Sequence, residues 1–154
     1  MPSPPASGIG RVLSADIAVP EHERELRFYS RVLTTGDTPL WREDLMNSSG
    51  VPIIGLGERG PGTEDLPLQW MPHIQVADVA ASAERALSGG GRELMHHRND
   101  VGESQWAVFI DPNGAAFGLI PEVAPEAIPT IEGGCIAWLD LTVADADRTR
   151  DFYQ

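Results

Sequence analysis

Hydrophobic and polar residues change their period twice in the first third of the chain. Residues 11–19 (RVLSADIAV) alternate with a period of two, which predicts a strand that is buried on one face. Pro20 and the acidic residues after it are typical of a helix start, and apolar residues then recur at helical spacing. Phe28 and Tyr29 belong to that apolar pattern, so both are predicted to lie in the helix core. Two further strands are predicted, at residues 39–46 and 51–56.

The same order of elements is predicted again in the second part of the chain. Residues 71–76 alternate and predict a strand, and Asp78 is a favourable N-cap for the helix after it. Three consecutive glycines, residues 89–91, end that helix. Asp111-Pro112-Asn113-Gly114 has the composition of a tight turn. The remaining strands are predicted at residues 93–97, 105–110 and 115–120, which gives an α+β fold of two similar halves.

The opening pattern appears once more at the end of the chain. Residues 16–30 (DIAVPEHERELRFYS) align without gaps with residues 140–154 (DLTVADADRTRDFYQ), which indicates a repeat. Residues 136–143 alternate and predict a strand that could join a sheet edge or be exchanged between chains. We expect a flexible tail at 1–10, a module at 11–122 with halves 11–57 and 70–122, a linker at 123–134, and the truncated start of a second module at 135–154.

Three segments together match the order and spacing of one known superfamily. They are the strand and helix that end in Phe28-Tyr29, the segment FIDPNGAAFGLI at 109–120, and HIQVADVAASAERALSGGG at 73–91. In these segments residues 11–122 resemble a vicinal-oxygen-chelate module, the superfamily of glyoxalases, bleomycin-resistance proteins and extradiol dioxygenases. The resemblance implies paired βαβββ units that form a cupped mixed-sheet barrel around a ligand, with helices outside. It also implies pairing of modules, either within a chain or across a dimer; together with the strand predicted at 136–143, this predicts a homodimer or strand-exchanged oligomer.

The resemblance further implies where a metal ion would bind. In the metal-dependent members, ligands come from the first strand of each half and from the strand after the Asp-Pro-x-Gly hairpin. The corresponding positions here are Ser14, Met71 and Gly118, none of which is a good ligand for zinc, iron or manganese. We therefore expect no usual metal site and no cofactor.

Asp16 and His73 lie two residues from those first-strand positions, so they share the same strand faces and should point into the cup. They could be a structural polar pair, could contact a ligand, or could act as a general base oriented by a carboxylate. They could also be ligands of an atypical divalent metal site, for which no third ligand is evident. His96 and His97 are adjacent on one strand, so they should face opposite ways and be solvated. The other residues predicted to contact a ligand are Ser14, Met71, Gln75, Gly118, Trp41 and Trp106.

The composition restricts the partners of the protein. There are 23 acidic and 11 basic residues, and the net charge is -12. Such a surface repels nucleic acid and attracts a cationic small molecule, although it also serves solubility alone. No apolar run approaches the ~20 residues of a membrane helix. Cys135 is the only cysteine, so an internal disulfide is excluded and a reducing, cytoplasmic location is expected.

Three classes of function stay open at the level of sequence. The first is a metal-independent binder of a small organic molecule, as in bleomycin-resistance proteins. The lack of good metal ligands at the family's positions and the acidic net charge favour this class. The second is an enzyme (a lyase, isomerase, hydrolase or dioxygenase) that uses Asp16 and His73 in the same cup. The third is a non-catalytic regulatory or assembly module. One fold hosts many chemistries, so the resemblance does not select among them.

Overall fold

The computed structural model describes residues 8–32, 44–46, 52–123, 136 and 138–154, with the backbone alone at 44–46, 52 and 53. The described strands are β1 Val12–Val19, β2 Asp44–Met46, β3 Pro52–Glu58, β4 Met71–Val76, β5 Arg92–Arg98, β6 Ser104–Ile110 and β7 Ala116–Pro121. The described helices are α1 His22–Val32, α2 Val79–Ser88 and α3 Ala146–Tyr153. Within these ranges, no helix has the length and apolar character needed to cross a membrane.

The strands form one mixed sheet in the order β2-β3-β1-β4-β7-β6-β5. In each half the first strand pairs in parallel with the last, β1 with β3 and β4 with β7. The halves join through the antiparallel pair of β1 and β4, so equivalent strands meet at the centre of the sheet. The predicted α+β fold of two similar halves is thus confirmed. Its described strands form an open sheet with β2 and β5 at the edges, not a closed barrel.

Local sequence accounts for the ends of several elements. The Asp78 side chain accepts a hydrogen bond from the Ala81 N–H at 2.9 Å, which caps α2 as predicted. Gly89 ends α2 and its N–H bonds to the Arg85 carbonyl oxygen at 2.8 Å. The turn between β6 and β7 needs a positive φ at its last position, and Gly114 supplies it with a φ of 91°.

Side chains of the sheet alternate between two apolar layers. On one face, Phe109 and Phe117 pack with Val79 and Ala83 of α2. On the other face, Val108 packs in a separate cluster whose other buried members are Ala18, Leu66, Met71 and Ala116. The helix side of the sheet is therefore closed by α2, while the opposite side borders the cavity described below.

Helix α1 covers the sheet less completely than the sequence predicts, since none of its residues is buried. Tyr29 packs against a small cluster, and its ring meets Trp70 edge-on at a centroid distance of 5.2 Å. Phe28 is 54% exposed, so its predicted place in the core is wrong. Adjacent residues on a helix point about 100° apart, and of these two neighbours only Tyr29 faces the sheet.

The C-terminal segment packs on the module as a helix. Phe152 of α3 lies against the core cluster beneath α2, and the Tyr153 hydroxyl donates to Oδ2 of Asp111 at 3.1 Å. The strand predicted at residues 136–143 is not formed at 136 or 138–143, and Trp138 is 80% exposed. A strand needs a neighbouring strand to pair its backbone, and the segment has none in the described part of the chain.

Candidate functional site

A cavity of about 550 Å³ lies against the sheet face that the helices leave open. Strands from both halves line it. The lining residues extend from Gly57 on β3 to Met95 on β5, the edge strand of the second half. The sheet must therefore curve around the cavity, as expected for a cupped fold. The volume is within the usual range of small-molecule sites. The main apolar lining residues are Leu66, Met71, Met95, Trp106 and Val108, and the polar ones are Asp16, Glu58, Thr63 and His73.

The structure brings Asp16 and His73 together at the junction of the two halves. Ser14 lies directly opposite His73 in the register of β1 and β4, and Asp16 follows on the same face. His73 Nδ1 is 3.2 Å from Oδ2 of Asp16 and 3.1 Å from the Ser14 hydroxyl. An ionised carboxylate can only accept, so the proton of the contact with Asp16 lies on Nδ1. When the ring is neutral, this tautomer leaves the lone pair on Nε2, which can then accept a proton or a hydrogen bond.

The two side chains differ in their access to solvent. The His73 side chain is 15% exposed, whereas that of Asp16 is 43% exposed. The imidazole thus forms part of the cavity floor, and the carboxylate stands at a more open position beside it. A ligand entering the cavity can reach both groups.

The residues at the family's metal positions do not fit a metal ion. Met71 is buried in the apolar wall, and Ser14 is engaged with the His73 ring. Gly118 lies opposite His73 in the parallel register of β4 and β7. A Cβ atom at Gly118 would overlap the His73 ring, so a glutamate there would require the imidazole to move from its present position. Throughout the described ranges, no three His, Cys, Asp or Glu side chains converge as a metal site, so the Asp16–His73 pair lacks a third ligand there.

The other predicted ligand contacts have different fates. Trp106 lines the cavity, and its ring stacks on His97 at a centroid distance of 5.5 Å. Gln75 is only 1% exposed and does not line the cavity; its side-chain oxygen accepts from the Val123 N–H at 2.8 Å. Trp41 lies outside the described residues.

Sequence reasoning missed most of the lining residues, among them Glu58 and Met95, and it misjudged a histidine. Glu58 ends β3, and Met95 reaches the cavity from β5; no motif marks either residue. The His96 side chain is 5% exposed, so its predicted solvation is wrong. Its Nε2 atom lies 2.8 Å from the Ser104 hydroxyl and its Nδ1 atom 2.9 Å from the Glu93 carboxylate, which together hold the ring between two strands.

Comparisons with known proteins agree with this fold. The glyoxalase-like domain family matches residues 13–120. The anthracycline biosynthesis protein DauV of Streptomyces sp. (strain C5) is 32% identical over 98 residues, which cover 62% of this chain and 36% of that protein. The putative glyoxylase CFP32 of Mycobacterium tuberculosis is 30% identical over 109 residues, which cover 69% and 41% respectively. The chain thus spans less than half the length of these two relatives.

Among solved structures, the Streptomyces coelicolor methylmalonyl-CoA epimerase shares 19% identity with a TM-score of 0.46, over 75% of this chain and 99% of that chain. The family match extends from β1 to β7 and includes both halves of the cavity wall. The chain therefore belongs to the glyoxalase-like domain family.

Proposed function

We propose that the protein binds a small organic cation with an apolar body in this cavity, without a metal ion. The observation that carries the proposal is the charge of the wall: Asp16 and Glu58 both line the cavity, and no lysine or arginine is among its described lining residues. Two carboxylates beside an apolar surface favour a ligand that places a positive charge near them. The net charge of -12 would attract such a ligand over a longer range.

The apolar walls suit the body of such a ligand. Met71, Met95 and Leu66 give a flexible aliphatic surface, and Trp106 gives a flat aromatic one. The His97 ring stacks on Trp106, which favours the present orientation of the indole. An aromatic face beside carboxylates favours cations also through the ring quadrupole. A relative named for anthracycline biosynthesis supports an organic ligand.

A matched pair of probes tests the proposal. Naphthylmethylammonium and neutral naphthylmethanol share an aromatic body and differ in charge, so calorimetry at low salt should show tighter binding of the ammonium. Asp16→Asn and Glu58→Gln should each weaken the ammonium about fivefold and leave the alcohol unchanged, because the carboxylates are partly solvated. Glu84→Gln on the exposed face of α2 is the control. Equal affinities for the two probes, or no saturable binding, would refute the cation proposal.

The contact between Asp16 and His73 favours a second candidate, an enzyme that transfers protons. In that case Nε2 of His73 would take a proton from a carbon or hydroxyl of the ligand, and the Asp16 carboxylate would stabilise the imidazolium that forms. An NMR screen of small keto and hydroxy acids in deuterated water would detect exchange at carbon. His73→Ala should abolish that exchange, and Asp16→Asn should slow it about tenfold to a hundredfold. Exchange that continues at the same rate in His73→Ala would remove His73 from the mechanism.

A further inference from the structure

Two glycines lie directly beside the polar pair on the neighbouring strands. Gly55 of β3 is the register partner of Asp16, and Gly118 of β7 is the register partner of His73. Neither glycine has a positive φ, so the backbone conformation does not require glycine at these positions. Glycine within a strand is destabilising, and its presence often marks the close approach of another group.

Here the approaching groups are the side chains of the polar pair. A Cβ atom on Gly55 would overlap the Asp16 carboxylate, and a Cβ atom on Gly118 would overlap the His73 ring near Nε2 and Cδ2. Gly57, two residues from Gly55 on the same strand face, has only the Ile17 carbonyl oxygen near its Cβ position, at 4.0 Å. Among the glycines within the described strands, the close approach is therefore particular to Gly55 and Gly118, and it does not extend along β3.

The arrangement is the same in the two halves of the sheet. Asp16 and His73 both stand on the first strand of a half, and Gly55 and Gly118 both stand on the last strand, at the paired position. The four residues form two pairs, Gly55 with Asp16 and Gly118 with His73, which are offset by two residues where β1 pairs with β4. Each polar side chain lies over its glycine partner, and Asp16 and His73 still meet diagonally across the β1–β4 junction at 3.2 Å.

We propose that Gly55 and Gly118 are specificity-determining residues of the cavity. Because they carry no side chain, the carboxylate and the imidazole lie across the adjacent strands and form a hydrogen-bonding floor. Position 118 is also where the metal-type members carry a ligand, so a ligand side chain there and the His73 ring in its present position exclude each other sterically. Glycine at position 118 thus favours a cavity floor that forms hydrogen bonds or exchanges protons with its ligand. It disfavours a floor that coordinates a metal ion. This inference goes beyond cation binding and does not depend on it.

Alanine substitutions in matched backgrounds test the steric part of the proposal. Gly118→Ala should lower the melting temperature by roughly 5 °C or more, because a methyl group must displace the ring. In the His73→Ala background the same substitution should cost little. Gly55→Ala should likewise lower the melting temperature of the otherwise unaltered protein, and it should cost little in the Asp16→Ala background. Gly57→Ala is the control and should change the melting temperature little in either background. Equal losses with and without the His73 ring would overturn the proposal.

A second measurement reports on the floor itself. Long-range proton–nitrogen NMR spectra show which ring nitrogen of a histidine carries the proton. For His73 this should be Nδ1 in the unaltered protein and in Gly57→Ala, and the pattern should change in Gly118→Ala, where the ring is displaced. If Gly118→Ala does not fold alone, recovery of the fold in Gly118→Ala/His73→Ala supports the proposal, and failure to recover counts against it. A stoichiometric Mn, Ni or Zn thermal shift that His73→Ala removes would overturn the claimed exclusion of metal.

Discussion

Asp111 gives the sharpest test of how the hairpin between β6 and β7 is held. The residue is only 3% exposed. Oδ1 accepts from the backbone N–H groups of Asn113 and Ala115, both at 2.8 Å. Oδ2 accepts from the Asn113 side-chain amide at 3.2 Å and from the Tyr153 hydroxyl at 3.1 Å. One side chain therefore fixes the turn and also attaches the C-terminal helix to it.

The magnitude for Asp111→Ala follows from these four bonds. A bond to a charged group contributes about 1.5 kcal/mol or more, and water near the exposed turn can replace part of that loss. We expect the free energy of unfolding to fall by about 3 kcal/mol, with a drop in melting temperature of roughly 10 °C. Urea unfolding, monitored by circular dichroism, measures this change as a shift of the transition midpoint while the slope of the free energy against urea concentration stays constant.

Two milder variants separate the turn from the helix attachment. Asp111→Asn keeps an oxygen for the two backbone N–H groups but cannot accept from Tyr153, so it should cost about half as much. Tyr153→Phe removes a single hydroxyl contact and should cost about 1 kcal/mol. Because both changes remove the bond from the Tyr153 hydroxyl to a carboxylate, their effects should not add in the double variant. A loss below about 1 kcal/mol for Asp111→Ala, or an equal loss for Tyr153→Phe, would refute the reasoning.

Three further predictions follow from single contacts. Burial, and then the Asp111 carboxylate, raise the pKa of Tyr153 well above its ordinary value of about 10. The stability gained by a neutral Tyr153 is therefore present below about pH 10 and is lost above it, as alkaline unfolding curves of Tyr153→Phe and the unaltered protein should show by converging. Asp78→Ala should lower stability to urea by about 1 kcal/mol through loss of the α2 cap, while Asp78→Asn should retain most of it. Gln75→Leu should cost about 1–3 kcal/mol, because the Val123 N–H loses its acceptor; an unchanged urea midpoint would contradict this assignment.

Local signals in the sequence were sufficient where the physical cause is local. The bounds of β4 agree with the prediction, and the Asp78 cap forms within four residues of chain. The turn at Asp111 is likewise fixed by bonds within five residues. Such features depend on backbone dihedrals and short-range hydrogen bonds, which the residue types determine directly.

Long-range packing was not predictable from the same signals. Phe28 and Phe152 occupy equivalent positions in a repeat, each followed by a tyrosine. Phe152 packs against the core, and its ring meets Phe117 edge-on at 5.9 Å, whereas Phe28 is mostly exposed. The two helices have similar local patterns, so the difference comes from the surface that each one meets.

The candidate site was half predictable for a related reason. The resemblance implied which strand faces point into the cup, the period of two added Asp16 and His73 to those faces, and the structure places both in the cavity wall. The meaning of Gly118 depends on strand register, which a single sequence does not state. From the sequence, Gly118 shows only that the family's metal ligand is absent at this position. In the structure it lies opposite His73, and its lack of a side chain leaves the space that the imidazole fills.

The duplicated architecture explains why an acid and a base meet at the floor of this cavity. The first strands of the two halves pair in antiparallel fashion at the centre of the sheet, so equivalent positions on them come close across the junction. If both positions carried the same acidic residue, two carboxylates would repel each other in a partly buried site. With Asp16 in one half and His73 in the other, the same geometry gives an attractive contact and leaves Nε2 for the ligand. The difference between the two halves at this one position therefore places an acid on one side of the β1–β4 junction and a base on the other.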